Sequence, residues 1–201
     1  CDPNDENLKE IIKITKINII DYTKIKTDFN LKIPGEHNIK NAQAAVAVAE
    51  ILGIDKKSAI KSLNNFFGTW RRFEYKGKTK NGVLVYDDYG HHPTEIKATL
   101  KGAREFFGGK KIWCVFQPHL YSRTKLLLKD FGKSFGDADE IILADIYAAR
   151  EPKDENINSK MLAEEIVKNG GAAMYMESFD KIAELLAEKA KKGDVVMTMG
   201  A

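Results

Sequence analysis

Hydrophobic positions after residue 80 fall into short runs, separated by stretches in which apolar residues recur every three or four positions. The runs predict strands and the stretches between them predict helices. We expect strands at 82–87, 111–116, 140–145, near 173–176 and at 194–199, and helices at 94–107, around 122–136, around 159–169 and at 178–192. Short apolar strands that alternate with helices are typical of a mostly parallel sheet covered on both faces. The sequence therefore predicts an α/β domain.

The first third of the chain has a different pattern. Residues 7–14 predict a short helix, and the β-branched alternation of residues 17–33 predicts strands. After the Pro-Gly turn of "PGEHN", two helical stretches follow, the second with Asp55 as its predicted N-cap. These helices end near Phe67, where the strand–helix alternation begins. We therefore expect two domains, residues 1–67 and residues 68–201.

Composition excludes several classes of protein. Of the 201 residues, 30% are charged and 43% hydrophobic, and the net charge is only +3 with scattered lysines, which argues against a nucleic-acid surface. The apolar runs are too short to span a bilayer, and the chain has no signal-peptide pattern. The two cysteines, Cys1 and Cys114, are expected to be reduced thiols of a cytoplasmic protein with no membrane partner.

All four histidines lie in three polar clusters, "PGEHNIKN", "DDYGHHPTE" and "QPHLYSRT". The second and third clusters follow two predicted strands, and "DIYAARE" follows the next one. Ligands of open parallel sheets bind at the carboxyl ends of the strands. We therefore expect these three loops to line one crevice.

Each cluster also has a plain structural interpretation. For Asp87 and Asp88, a structural role at the end of a strand and its turn is as good an explanation as a functional role. For Glu95, helix capping is the favoured role. The adjacent His91 and His92 make a poor metal pair, because neighbouring residues seldom face one ion and no partner lies at ligand spacing. The sequence therefore predicts no metal site, and Ser122 lacks the surroundings of an activated nucleophile.

Three arginines point to an anionic ligand. Arg71 and Arg72 follow "GTW" at the expected domain boundary, where they are either surface charges or a fork for a phosphate or carboxylate. Arg123 lies at the start of a predicted helix, where a cation opposes the helix dipole unless an anion docks there. No phosphate-binding G-x-x-x-x-G-K-[ST] loop and no G-x-G-x-x-G after a strand occur in the chain.

Six motifs occur together in one order along the chain. They are "PGEHNIKNAQAAVAVAEILGI", "GTWRRFEYKG", "VYDDYGHHPTEIKATL", "VFQPHLYSRTK", "ADIYAAREP" and "GDVVMTMGA". In this order they resemble the Mur ligases, over nearly all of residues 33–201. The form "RRFE" with "DDYGHHPTE" is more similar to the member that joins L-alanine to UDP-N-acetylmuramate than to the member that attaches a whole murein peptide.

The resemblance implies a domain organisation and a reaction. Residues 1–67 would be the C-terminal part of a central ATP-binding domain, whose stretch between Lys16 and Ile33 is shorter than is usual in the family, and residues 68–201 would be a Rossmann-like C-terminal domain. The reaction would be an ATP- and Mg²⁺-dependent C–N ligation through an acyl phosphate in peptidoglycan synthesis. The phosphate loop and most Mg²⁺ ligands would lie outside this chain, so we expect the chain alone to be inactive. A non-catalytic nucleotide- or anion-binding module is the alternative.

The resemblance also implies roles for single residues. His37, Asn38 and Asn41 would hold the adenine of ATP, Arg72 would reach its phosphates and Asp88 its ribose. Arg72, His91 and His92 are the expected catalytic residues, and His91 and His92 would line, with Tyr89, the crevice where nucleotide and amino acid meet. Tyr89, His119 and Arg123 would bind the amino-acid substrate, the last two facing the alanine carboxylate and the acyl group. Leu120 stands where relatives often have arginine, and Arg150 is a candidate substitute. The oligomeric state is left open.

Overall fold

The computed structural model describes all residues, 1–201, and the chain divides into two compact units, Cys1–Phe67 and Gly68–Ala201. The first unit contains α1 (Glu6–Ile14), a 3₁₀ turn (Tyr22–Lys24), α2 (Glu36–Ile51) and α3 (Lys56–Asn64). The Asp55 side chain accepts a hydrogen bond from the Ser58 N–H at 2.9 Å, which confirms it as the N-cap of α3. A small core forms around Ile25, Val46 and Ala47.

The prediction of strands at 17–33 is wrong, since this segment contains only the 3₁₀ turn. A strand needs a neighbouring strand for its N–H and C=O groups and a core for its apolar face. The first unit contains no strand for the segment to pair with, and only part of the segment meets the core: Ile25 is buried there, whereas Ile17 and Ile20 are 76% and 44% exposed. Alternation of β-branched residues alone is therefore insufficient to form a sheet.

The second unit is built on one six-stranded sheet. Its strands are β1 (Glu74–Lys78), β2 (Leu84–Asp88), β3 (Ile112–Phe116), β4 (Glu140–Leu143), β5 (Ala173–Tyr175) and β6 (Val195–Met199), in the order β1-β2-β6-β3-β4-β5. All neighbours pair parallel except β1 and β2, which are antiparallel. The mostly parallel sheet confirms the predicted fold class. The sequence pattern missed β1 because this edge strand, "EYKGK", has no apolar run.

Helices cover both faces of the sheet. They are α4 (Pro93–Phe107), α5 (Tyr121–Leu126), α6 (Leu128–Gly132), α7 (Ser159–Lys168) and α8 (Phe179–Lys189). Residues of α4, α6 and α7 join one core cluster, and residues of α8 join the other. Successive residues of β3 alternate between them, with Cys114 in the first cluster and Val115 in the second. Burial raises the pKa of the Cys114 thiol, and neither cysteine is in a disulfide.

The helix predicted around 122–136 is interrupted. It divides at Leu127, whose backbone (φ −105°, ψ 17°) leaves the helical region, into α5 and α6. Leu126 stays 84% exposed, while Phe131 is fully buried in the core, so the break lets α6 turn its own apolar face to the sheet. No helix of the chain is both long and apolar enough to cross a bilayer.

Candidate functional site

The loops after β2, β3 and β4 meet at the carboxyl edge of the sheet, as predicted. The His91 and His119 ring centroids are 6.1 Å apart, and His119 and Tyr147 are 5.6 Å apart. The Leu120 N–H donates to the Tyr147 carbonyl at 2.9 Å, which ties the second loop to the third. Three loops that are distant in sequence therefore form one polar surface.

Arg71 is locked into the fold. Its Nε donates to Asp87 Oδ2 and its Nη2 to the Gly200 carbonyl, both at 2.7 Å. Its backbone has a positive φ of 53°, and its carbonyl accepts from the Tyr89 N–H at 2.7 Å. Asp87 also accepts from the Thr198 hydroxyl at 2.6 Å. Arg71 therefore ties the loop before β1 to the ends of β2 and β6, and its guanidinium is committed to protein partners.

Arg72 differs from its neighbour. Its Nη1 lies 3.8 Å from Glu95 Oε1, and its guanidinium carbon lies 5.5 Å from the centroid of the Tyr89 ring. The side chain is 47% exposed. An exposed, loosely paired guanidinium can exchange its partner for a ligand anion at small cost. The adjacent arginines thus divide into a fixed anchor, Arg71, and an accessible cation, Arg72.

Asp88 is buried and fully engaged. Oδ2 accepts from the Phe73 N–H at 2.9 Å, and Oδ1 accepts from the Gly90 N–H at 2.8 Å and the Thr99 hydroxyl at 3.3 Å. A Cβ on Gly90 would lie 2.8 Å from Asp88 Oδ1, so the turn packs directly on the carboxylate. Asp88 is only 4% exposed, and its contact with a ribose stays a prediction. Its role in this structure is to position the loop backbone.

His92 and Glu95 form the start of α4. His92 Nδ1 accepts from the Thr94 N–H at 3.3 Å, and Glu95 Oε2 accepts from the N–H groups of His91 and His92 at 3.0 and 3.1 Å. Burial by itself would raise the pKa of Glu95, but these N–H donors and the charges of His91 and Arg72 lower it overall. The predicted capping role of Glu95 is confirmed. His92, expected in catalysis, serves as the N-cap of α4.

His91 and Tyr89 present an aromatic surface beside this helix start. His91 Nδ1 lies 2.9 Å from the Tyr89 carbonyl, an acceptor, so the neutral ring carries its proton on Nδ1 and leaves Nε2 as an acceptor. The Tyr89 ring meets His91 edge-on at 5.2 Å and lies under the guanidinium groups of both Arg71 and Arg72. The structure thus brings Arg72, Tyr89 and His91 together.

His119 and Arg123 are paired within the second loop. Arg123 Nη1 lies 3.4 Å from His119 Nδ1, which then acts as the acceptor. Burial, the charge of Arg123 and the charge of His91 lower the pKa of His119, although Glu151 opposes them. The lowered pKa favours the neutral form of His119, and Arg123 keeps its remaining N–H donors for another acceptor.

The anion predicted at the start of the Arg123 helix is supplied by the protein itself. Glu151 Oε2 accepts from the Ser122 N–H at 3.0 Å, and Oε1 accepts from the Ser122 hydroxyl. These hydrogen bonds and the charge of Arg123 outweigh burial and lower the pKa of Glu151. The argument from the helix dipole was right about the charge, but it does not require a ligand. Sequence spacing gave no signal for Glu151, because it lies 29 residues from Ser122.

Leu120 occupies a strained position between these residues. Its φ is +73°, a region that costs a non-glycine residue about 1 kcal/mol or more. Its carbonyl accepts from the Thr124 hydroxyl at 2.8 Å. Arg150, the candidate substitute for an arginine at position 120, is exposed at the far end of the third loop. The turn at Leu120 lies between His119, which bridges to Tyr147, and the start of α5 at Tyr121.

The three residues expected to hold adenine lie in the first unit, on the first turns of α2. Asn38 Nδ2 donates to the Pro34 carbonyl at 2.7 Å, and Asn41 Nδ2 lies 3.5 Å from Asn38 Oδ1. The His37 ring packs over Gly35, where a Cβ would come within 2.6 Å of it and where φ is +102°. Their contact with a nucleotide stays a prediction.

No group of three or more His, Cys, Asp or Glu side chains in the chain could hold a metal ion. The acidic residues nearest the polar surface are already used, Asp87 by Arg71 and Asp88 by backbone N–H groups. The residues present therefore do not fit a Mg²⁺ site formed by this chain alone. We assign no chemical step to a metal held by these residues.

Comparisons with known proteins agree with this architecture. Residues 71–201 match the family described as "Mur ligase, glutamate ligase domain". The UDP-N-acetylmuramate–L-alanine ligase of Acetivibrio thermocellus is 49% identical over 175 residues, which cover 87% of this chain and 37% of that protein. The chain thus spans well under half the length of such curated relatives.

Two solved structures are similar across most of the chain. The UDP-N-acetylmuramate–alanine ligase of Thermotoga maritima matches with a TM-score of 0.72 and 29% identity, covering 88% of this chain and 37% of that one. A murein peptide ligase of Psychrobacter arcticus matches with a TM-score of 0.59 and 28% identity, covering 86% of this chain and 35% of that one. On the match of residues 71–201, which make up more than half of its length, the chain belongs to the Mur ligase family.

Proposed function

We propose that this chain is the C-terminal part of an ATP-dependent ligase that joins L-alanine to UDP-N-acetylmuramate in peptidoglycan synthesis. The observation that carries the proposal is the polar surface at the carboxyl edge of the sheet, where Arg72 and Arg123 are the cations with donors left for a ligand. The relative named as this ligase is 49% identical over most of the chain. Residues 1–67 would belong to the central ATP-binding domain, and residues 68–201 would form the C-terminal domain.

The proposed reaction has two steps. The muramate carboxylate attacks the γ-phosphorus of ATP, ADP leaves, and an acyl phosphate forms. The alanine amine then attacks the acyl carbon, phosphate leaves, and the ammonium proton is lost to solvent or a base. Negative charge grows on the phosphoryl group and then on the former carbonyl oxygen of the tetrahedral intermediate, so fixed cations favour both transition states. Bound Mg²⁺, held mainly by residues outside this chain, would neutralise phosphate charge.

The residues of this chain have separate parts in that scheme. Arg72 would hold phosphate oxygens, helped by Arg71, which fixes the backbone next to it. Arg123 would bind the alanine carboxylate or the acyl oxygen, and neutral His119 would help to orient that guanidinium. Tyr89 and His91 would form the wall of the crevice. His37, Asn38 and Asn41 would contact adenine. All of these reactants are cytoplasmic metabolites, which fits a cytoplasmic enzyme.

The alternative within the family is a murein peptide ligase. The matched peptide ligase structure has a lower TM-score than the matched alanine ligase, 0.59 against 0.72, at nearly the same identity. This difference favours the alanine ligase. In a non-catalytic binding module, the accessible arginines would only bind a ligand and would not stabilise a transition state. The graft experiment below distinguishes such a module from both enzymes.

The test is a graft. The chain replaces the matching C-terminal segment of the Acetivibrio thermocellus relative, and product is measured from UDP-N-acetylmuramate, ATP and either L-alanine or the tripeptide L-alanyl-γ-D-glutamyl-diaminopimelate. We expect product with L-alanine, little with the peptide, and none from the ungrafted chain. The intact relative and a graft that restores its own segment are the controls. A folded graft that uses only the peptide, or that binds nucleotide without turnover, contradicts the proposal.

A further inference from the structure

A cavity lies at the carboxyl ends of β4 and β5, between these strands and the start of α7. It has a volume of about 380 Å³, within the range of about 300–1,000 Å³ that small-molecule sites occupy. Its polar lining comes chiefly from Asp145, Lys153, Ser159, Lys160, Tyr175 and Glu177. None of the residues expected to bind nucleotide or alanine lines it.

Ser159 gives the first sign of a ligand. This residue is 1% exposed, and its hydroxyl is the one buried side-chain polar atom in the chain without a hydrogen-bond partner. Buried hydroxyl groups are almost always paired, with protein, ordered water or ligand. Since Ser159 lines the cavity, a molecule bound there would supply the missing partner.

The start of α7 supplies further donors at the same place. Asn158 caps this ten-residue helix by accepting from the Met161 N–H at 3.0 Å. The N–H groups of Ser159 and Lys160 belong to the first turn, so they have no acceptor within the helix. With the Ser159 hydroxyl, they favour an oxyanion at the start of α7.

Asp145, Tyr175 and Glu177 line the cavity beside the ends of β4 and β5. The Tyr175 hydroxyl donates to Asp145 Oδ1 at 2.7 Å. This hydrogen bond, burial and the nearby charges of Asp145 and Glu177 raise the pKa of Tyr175 to about 12. Lys153 pairs with Glu155 at 3.0 Å, and Lys160 Nζ lies 5.4 Å from the centroid of the Tyr175 ring. The three carboxylates that line the cavity still outnumber its two lysines, and this excess of negative charge favours a ligand that also carries a cationic group.

We propose that this cavity binds a small zwitterion, of the size of an amino acid or a dipeptide. Its carboxylate would lie on the Ser159 and Lys160 N–H groups, and its ammonium group would face Asp145 and Glu177. Three carboxylates and two lysines line the cavity, so a simple anion such as phosphate would meet net repulsion. The chain would thus carry a recognition site for a free amino acid or dipeptide that does not depend on the proposed ligase reaction.

The test uses the whole chain labelled with ¹⁵N and L-alanyl-L-alanine as the probe. In a two-dimensional NMR titration we expect saturable shifts of the Ser159 and Lys160 amide signals. N-acetyl-L-alanyl-L-alanine, which lacks the ammonium group, and L-alanyl-L-alanine amide, which lacks the carboxylate, should each bind at least about fivefold more weakly. Inorganic phosphate, as the anion-only probe, should bind more weakly still.

Two variants localise the site. Ser159→Ala should weaken binding of the dipeptide about fivefold, the effect of one lost hydrogen bond, and should not unfold the chain because it removes an unpaired buried hydroxyl. Glu177→Gln should weaken the dipeptide but leave its N-acetyl derivative unchanged. Asp180→Asn, an exposed acid on α8 that does not line the cavity, is the control.

Three results would overturn the proposal. The first is no saturable shift at the start of α7 with the dipeptide, which would leave water as the partner of Ser159. The second is equal binding of the dipeptide and its N-acetyl derivative. The third is tighter binding of phosphate than of the dipeptide, which would make this an anion site.

Discussion

Replacement of Asp88 by asparagine tests whether this buried carboxylate positions the loop after β2. The change keeps the size of the side chain and removes one of its two acceptor oxygens. In the native structure the two oxygens serve different donors, the Phe73 N–H on Oδ2 and the Gly90 N–H with the Thr99 hydroxyl on Oδ1. Whichever way the amide turns, its NH₂ group faces a buried N–H donor.

The magnitude follows from these contacts. Hydrogen bonds to a charged acceptor contribute about 1.5–3 kcal/mol each, and an unsatisfied buried donor costs about 1–3 kcal/mol. The neutral amide recovers part of this because it no longer buries a charge. We expect a loss of about 3 kcal/mol in the free energy of unfolding. At about 4 °C per kcal/mol for a unit of this size, the Tm should fall by about 10 °C.

The assay is urea unfolding followed by tryptophan fluorescence. Both tryptophans, Trp70 and Trp113, belong to the second unit, so the signal reports that unit alone. The matched control is Asp130→Asn, which removes an exposed carboxylate from α6 and should change stability by less than about 0.5 kcal/mol. An Asp88→Asn protein within about 1 kcal/mol of the native one refutes the positioning role and makes a ligand contact the better explanation.

Three further predictions concern stability. Gly90→Ala should cost about 1–3 kcal/mol, because its Cβ would lie 2.8 Å from Asp88 Oδ1 and 3.1 Å from Met199 Cε; unchanged urea unfolding contradicts this. Glu95 has a lowered pKa in the fold, so its contribution should be complete above pH 4.5 and lost as the pH falls through the folded value. Glu95→Gln should therefore flatten the stability curve in that acidic window, and an unchanged curve contradicts the assignment. Phe116→Ala, at a fully buried site, should cost about 3–5 kcal/mol in the same unfolding assay.

The fold of the second unit was readable from the sequence because its strands are buried on both faces. Each of β3, β4 and β6 is an apolar run with a helix on either side of the sheet, so the hydrophobic pattern and the tertiary environment agree. The prediction was wrong for the edge strand β1 and for residues 17–33, for opposite reasons. β1 pairs with β2 although its sequence has no apolar run, and residues 17–33 have the β-branched alternation of a strand but no strand to pair with.

The sequence predicted which loops form the candidate site, but it did not predict the hydrogen bonds within it. Strand order places the clusters after β2, β3 and β4 at one edge, which parallel topology dictates. The division of labour between Arg71 and Arg72, and the pairing of Glu151 with the Ser122 helix start, depend on contacts between residues far apart in the chain. Sequence spacing carries no information about such contacts.

The most direct test of the central claim is the turnover of the grafted protein with Arg72→Ala. If Arg72 is the accessible cation that serves the phosphoryl transfer, kcat for UDP-N-acetylmuramate and L-alanine should fall about a hundredfold or more, the effect of losing one group that stabilises transition-state charge. Lys110→Ala, at an exposed lysine away from the three loops, is the control for general loss of positive charge. We predict a hundredfold loss with normal unfolding for Arg72→Ala and a native rate for Lys110→Ala. A folded Arg72→Ala graft that retains the native rate would contradict the account.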